Sequence, residues 1–145
     1  MRPLWTARRD AKVLFCPMPL MSWREALWVA LGSGAGGLLR FAAARLLHGL
    51  APGGIHIATL LVNVLGSALF GWLMARHGQI PMSSLIYLSL TTGVLGGFTT
   101  YSTFNTELLR MAIAGQPGRA GLYAAVTLAS CLLGGAAGWW LALRS

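Results

Sequence analysis

Acidic residues are nearly missing from this sequence: Asp10, Glu25 and Glu107 are its only three carboxylates in 145 residues. All charged residues together make up 10%, against roughly 25% in an ordinary soluble domain. So few charges cannot coat a water-facing surface, which excludes a conventional soluble globular protein. Cysteine is scarce too. Cys16 and Cys131 lie far apart and match no metal or redox spacing, and Cys131, inside an apolar run, reads as a small buried residue. His48, His56 and His77 show no ligand spacing, and no nucleophile sits near a candidate base, so nothing argues for an enzyme. The net charge of +8 raises nucleic acid as a partner. The basic residues are scattered and mostly flank apolar runs, with no basic helix face or interleaved aromatic patch, which argues against that partner.

What the chain has instead is hydrophobicity, 56% of its residues. Its length suits one domain. A bilayer core about 30 Å thick takes roughly 20 helical residues to cross. Four segments qualify: Leu27–Leu50, Ile55–Ala75, Leu85–Ile113 and Gly121–Leu143. Turn signals separate them at Ala51-Pro52-Gly53-Gly54, Arg76-His77-Gly78-Gln79-Ile80-Pro81 and Gly115-Gln116-Pro117-Gly118. The expected fold is therefore an all-α membrane protein, an up-and-down bundle of four transmembrane helices over residues 21–145. Residues 1–20 differ: they are basic, then carry Pro17 and Pro19, and their apolar piece Val13–Cys16 is too short for a signal-peptide core. They read as a disordered or mis-annotated extension, with Met21 as the start.

Glycine is abundant, with 19 residues. Small-xxx-small pairs at Gly32/Gly36 and Gly134/Gly138 let helix backbones approach closely in lipid. Orientation is undecided by charge. With residues 1–20 set aside, Arg24, Arg76 and Arg144 fall on one side and Arg45, Arg110 and Arg119 on the other, three against three. A chain with no orientation bias can insert both ways and pair with an inverted copy of itself.

Polar groups at membrane depth need a partner or a purpose. Asn63 sits in the middle of the second span, where its amide either donates to an anion or bonds another helix. The run Gly93-Val94-Leu95-Gly96-Gly97-Phe98-Thr99-Thr100 is poor helix, so a break in the third span is expected, with freed carbonyls able to coordinate a monovalent cation. Ser102 and Thr103 offer hydroxyl donors. Tyr101 and Phe104 are three apart and share a helix face, either as packing or as ring edges turned to an anion. Glu107 and Arg110 are one turn apart and can pair; Arg40, deeper in its span, can snorkel, cap a helix, attract anions or pair with Glu107. Tyr123 and Thr127 share a face of the fourth span. Gly32-Ser33-Gly34-Ala35-Gly36-Gly37 satisfies the dinucleotide fingerprint but lies inside a hydrophobic helix, where the strand it requires is absent.

Three blocks, Gly32–Phe41 (GSGAGGLLRF), Thr59–Gly71 (TLLVNVLGSALFG) and Gly93–Glu107 (GVLGGFTTYSTFNTE), resemble the Fluc/CrcB fluoride channels in content, order and spacing over residues 22–143. The resemblance implies passive export of cytoplasmic fluoride across the bacterial inner membrane by an antiparallel, dual-topology homodimer with two pores. It implies a structural sodium ion on the backbone carbonyls of Gly96 and Thr99. It places pore aromatics at Tyr101 and Phe104, the pore asparagine at Asn63, and the polar track at Ser102, Thr103, Tyr123 and Thr127. Arg40 and Glu107 match the family's first-span arginine and third-span glutamate. Tyr101 departs from the usual phenylalanine; its hydroxyl either supplies a donor or narrows the pathway. A small proton-coupled multidrug transporter is the main competing class, but it calls for a carboxylate in the first span, and Leu27–Leu50 has none.

Overall fold

The structure is a computed structural model and describes residues 22–47, 56–77 and 82–144. The expected extension over residues 1–20 lies outside the described residues, as do Cys16 and His48. Every regular element among the described residues is helical. Helices α1 (Trp23–Leu46) and α2 (Ile57–His77) are followed by α3 (Ser84–Leu88), a π-helical stretch over Ser89–Leu95, α4 (Gly96–Phe98), α5 (Tyr101–Ile113) and α6 (Pro117–Arg144). Three of these, α1, α2 and α6, are long and apolar enough to cross a membrane. The third expected segment, Leu85–Ile113, is divided among short elements.

Local sequence sets the helix ends. Ser22 and Glu25 open α1 with a capping box: the Ser22 hydroxyl accepts from the Glu25 amide at 3.2 Å, and the Ser22 amide donates to Glu25 Oε2 at 2.7 Å. At the end of α5, Gly115 adopts φ 74°, the left-handed conformation that suits glycine. The Gln116 amide returns to the Met111 carbonyl and the Gly115 amide to the Ala112 carbonyl, a Schellman closure. Pro117 then starts α6 at a first-turn position where its missing N–H costs nothing.

Glycines sit where helices cross. A Cβ on Gly32 would stand 2.6 Å from the Ser89 carbonyl, and one on Gly36 would overlap the Val94 carbonyl, so α1 lies directly on the π-helical stretch. The second pair, Gly134 and Gly138, meets Val64 and Ala68 of α2 in the same way. Both small-xxx-small pairs thus mark backbone-to-backbone crossings, as lipid-embedded packing requires. Ser89 reinforces the first crossing by donating from its hydroxyl to the Trp28 carbonyl at 3.1 Å.

The departure from helix falls at the end of the run Gly93–Thr100. Gly93, Gly96 and Gly97 all stay helical, while Thr99 (ψ 156°) and Thr100 (φ −151°, ψ 112°) are extended. Gly97 is instead spent on close packing, because a Cβ there would overlap Ser33. The widened π turn was not anticipated. Thr91 donates from its hydroxyl to the Tyr87 carbonyl at 2.7 Å inside that stretch, a back-bond that competes with regular helix hydrogen bonding.

The buried apolar core is thin, with Val62, Leu73, Leu95 and Phe104 its larger aliphatic and phenylalanine members. Trp23, Leu27, Trp28, Leu31, Leu38, Leu39 and Phe41 of α1 are all exposed, and α6 exposes Leu122, Leu132, Leu133, Trp139 and Trp140. Such a surface is a liability in water and the ordinary condition in lipid. The chain is a helical membrane protein.

Candidate functional site

Asn63 and Thr100 organise the site. The Asn63 Oδ1 accepts from the Thr100 amide at 2.8 Å, and Asn63 Nδ2 donates to the Thr100 carbonyl at 3.1 Å. A backbone amide and carbonyl taken out of helical bonding would be costly unpaired at this depth; one side-chain amide satisfies both. The primary amide keeps a second N–H. The interhelical hydrogen bond raised from the sequence is therefore present, and it leaves a donor over.

Thr100 also caps α5. Its hydroxyl accepts from the Thr103 amide at 3.2 Å and donates to the Thr103 hydroxyl at 3.0 Å. The amides that would close helical turns onto the carbonyls of Gly96 and Thr99 belong to Thr100 and Thr103. Both are engaged elsewhere, by Asn63 and by the Thr100 hydroxyl.

A groove of about 490 Å³ opens beside this pair. Asn63, Ser67, Thr91, Thr92, Thr99, Thr100 and Thr127 line it with amide and hydroxyl groups, and Phe70, Tyr101 and Phe104 with rings. None of its lining residues is charged. Tyr101 and Phe104 pack with ring centres 6.0 Å apart and planes at 55°, and Phe104 meets Tyr123 at 5.5 Å and 56°. Such tilted pairs place positive ring edges beside their neighbours. Phe104 is 5% exposed but Tyr101 is 75% exposed, so the groove is open along one flank. The Thr127 hydroxyl is buried without a hydrogen bond among the described residues. Cys131 also lines the groove and is half-buried rather than buried, a correction to the sequence reading.

Glu107 is the buried carboxylate, 7% exposed. Thr59 donates to its Oε1 at 2.7 Å and Tyr123 to its Oε2 at 2.8 Å. His56 Nδ1 lies 3.2 Å from Oε1. Neither Arg40 nor Arg110 is its ion-pair partner, so the two pairings raised from the sequence are not made in the structure. Burial of one carboxylate is instead supported by two hydroxyls and an imidazole.

The expected site residues divide among three spaces. Asn63, Gly96, Thr99, Tyr101, Phe104 and Thr127 share the groove. Arg40 lines a cavity of about 270 Å³ with Thr59, Thr100 and Thr103. Ser102, Thr103 and Glu107 line another of about 310 Å³ with His56, Thr106 and Arg110. Thr103 is common to the second and third, and Thr100 to the first and second, so the three spaces adjoin through threonines. Tyr123 stands behind them, joining Phe104 to Glu107. Sequence reasoning missed the roles of His56, Thr59 and Thr100. Thr59 carried a usable signal, since it lies four residues before Asn63 and so on the same helix face.

These features define a helical membrane protein with an uncharged groove whose apolar lining is interrupted by amide and hydroxyl groups. Comparison with known proteins makes the assignment specific: the family model described as CrcB-like protein, Camphor Resistance, matches residues 27–139, and the chain belongs to this family. It is 43% identical over 125 residues to a protein of Deinococcus radiodurans named fluoride-specific ion channel FluC, covering 86% of this chain and 99% of that one. The protein of that name from Sorangium cellulosum is 41% identical over 81% of this chain and 93% of its own length. The one from Thermus thermophilus is 42% identical, over 68% and 78%. These relatives are named as ion channels, not enzymes.

Proposed function

We propose that this chain is a fluoride-selective channel that lets cytoplasmic fluoride leave passively and so reduces its toxicity. The observation that carries the reading is the uncharged groove around Asn63, Tyr101, Phe104 and Thr127. Fluoride is small and holds water tightly, so a selective path must replace that water with donors. Amides, hydroxyls and ring edges do this without the deep well of a fixed positive charge, and conduction requires binding weak enough to permit exit. Hydrofluoric acid that enters the cell dissociates in the more neutral cytoplasm, and the channel returns the anion down its gradient.

In this reading residues 84–113 form a third crossing, broken at Thr99–Thr100, within a four-helix bundle in the bacterial inner membrane. The protein works as a homodimer of oppositely oriented copies. The open flank at Tyr101 supports this, because a second copy there would wall the groove. The balanced arginine count supports opposite orientations. A structural sodium ion sits on the carbonyls of Gly96 and Thr99, whose usual amide donors are diverted, leaving oxygen atoms suited to a hard monovalent cation. A bound sodium ion would satisfy those carbonyl oxygens at the break, which Asn63 and Thr100 hold open.

Fluoride efflux from liposomes containing the purified protein, read with a fluoride electrode and with chloride as control, tests the function. Fast, fluoride-selective efflux is expected. Folded protein that passes no fluoride overturns the reading.

A further inference from the structure

The arginines at the two ends of the bundle keep different company. Gly134 and Gly138 of α6 meet Val64 and Ala68 of α2 in the same order, so these helices run parallel and finish together. His77, the last residue of α2, stacks on Tyr87 of α3 with ring centres 3.8 Å apart. The Ser89 hydroxyl, just beyond α3, reaches the Trp28 carbonyl near the start of α1. The start of α1 and the ends of α2 and α6 therefore share one end of the molecule, and Arg24, Arg76 and Arg144 lie there.

Each of these arginines lies over a tryptophan of its own helix. The guanidinium carbon of Arg24 stands 5.7 Å from the Trp23 ring centre, that of Arg76 5.6 Å from Trp72, and that of Arg144 3.5 Å from Trp140. Every tryptophan of the described residues, Trp28 and Trp139 included, belongs to this end, and all five are exposed. Arg45, Arg110 and Arg119 at the opposite end have no tryptophan near them among the described residues; Arg119 bonds the Gln116 side chain instead, at 3.1 Å.

Helix-dipole capping accounts for Arg76 and Arg144, in the last turns of their helices. It does not account for Arg24, which stands in the first turn of α1, where a cation is disfavoured. A shared anionic ligand accounts for all three. A guanidinium held against an indole face keeps N–H donors at its edge, in the fork that matches a phosphate. Indole rings settle at the headgroup level of a bilayer, which sets that fork at the depth of lipid phosphates. Arg24 and Arg144 are exposed. Glu25, the carboxylate beside Arg24, is tied to the Ser22 amide at 2.7 Å.

We propose that this end of the bundle is a binding surface for anionic phospholipid headgroups, with Arg24 and Arg144 taking the phosphates and the tryptophans fixing their depth. Zwitterionic headgroups carry the same phosphate with a cation attached, which the arginines repel, so acidic lipid gathers here in preference. The proposal is independent of what the protein conducts.

The tryptophans supply the test, because bromine on a neighbouring lipid quenches their fluorescence. The full chain is reconstituted in phosphatidylcholine vesicles containing either brominated phosphatidylglycerol or, in matched vesicles, brominated phosphatidylcholine. Phosphatidylglycerol is expected to associate at least about threefold more strongly, and less so at high salt. Arg24→Gln with Arg144→Gln is expected to bring the two lipids near parity, whereas Arg45→Gln with Arg119→Gln keeps the preference. Equal quenching in the unaltered protein, or an unchanged preference in the Arg24/Arg144 variant, overturns the proposal. Tryptophans that neither lipid quenches show a surface covered by protein and overturn it too. Inorganic phosphate substituted for chloride at equal ionic strength is expected to leave the preference in place; its loss marks a site for the free ion and overturns the lipid assignment. Should the double variant fail to reconstitute, Arg144→Gln alone decides: an undiminished preference there overturns the proposal.

Discussion

The side-chain amide of Asn63 makes two hydrogen bonds to the backbone of Thr100, 37 positions away, accepting from its N–H at 2.8 Å and donating to its carbonyl at 3.1 Å. One residue of α2 thereby does for the extended pair Thr99–Thr100 what a neighbouring turn does for ordinary helix. Asn63→Leu removes both partners at once and is expected to destabilise the protein by about 2–6 kcal/mol, at roughly 1–3 kcal/mol for each buried group left unpaired. Thermal unfolding in detergent checks this.

Asn63→Asp separates support from conduction. The carboxylate still accepts from the Thr100 amide, but it faces the Thr100 carbonyl without a proton to give and places negative charge in an uncharged groove. Fluoride efflux is expected to fall at least about tenfold, with assembly judged by gel filtration largely retained. Undiminished efflux would remove Asn63 from the pathway.

At the crossing of α2 and α6, Gly138 has no room for a methyl group, since a Cβ would overlap the Ala68 carbonyl. Gly138→Ala is expected to cost about 1–3 kcal/mol, because backbone rather than a flexible side chain must move. Gly121, also in α6, has nothing within 4 Å of its would-be Cβ. Gly121→Ala is the control and is expected to melt no lower than the unaltered protein.

Glu107→Ala strands the hydroxyls of Thr59 and Tyr123, and the expected loss is about 2–4 kcal/mol of stability. Glu107→Gln keeps an acceptor and an approximate shape, so its loss is expected to be smaller. Equal melting temperatures for the two variants would show that the carboxylate's hydrogen bonds contribute little.

Under the proposed sodium site, replacing sodium with a bulky organic cation is expected to weaken the proposed dimer or reduce efflux, as the carbonyl oxygens of Gly96 and Thr99 would lose the cation they coordinate. Indifference in both measurements would remove sodium from the break. For the groove's aromatic pair, Tyr101→Phe is expected to keep efflux within about threefold, whereas Phe104→Ala loses more, because ring edges rather than the phenol oxygen supply the positive surface.

Hydrophobic runs and small-residue spacings made α1, α2 and α6 legible, because membrane insertion imposes a length and close packing imposes glycine. Gly32, Gly36, Gly134 and Gly138 all sit where their spacing suggested. The departure from helix was legible as a region but not as residues. The poor-helix run Gly93–Thr100 bounded it, and within that run the extended conformation belongs to Thr99 and Thr100, whose alternative hydrogen bonds come from Asn63 and from their own side chains. Propensity counts local cost and cannot see a partner in another helix. The same limit hid His56, which acquires meaning only from Glu107 on another helix, whereas Thr59 was signalled by its spacing from Asn63 but not its partner; the pairings of Glu107 with Arg40 or Arg110 were chemically sound but geometrically unmade.

The bond between Asn63 and Thr100 also bears on how the protein is made. The Thr100 N–H and C=O have no helical partners of their own, so in hydrocarbon they stay unsatisfied until α2 is alongside. Translation delivers α2 first, which means the receptor for the later segment is already waiting as that segment leaves the ribosome. One asparagine thus ties the backbone pairing of the later segment to the presence of the earlier one.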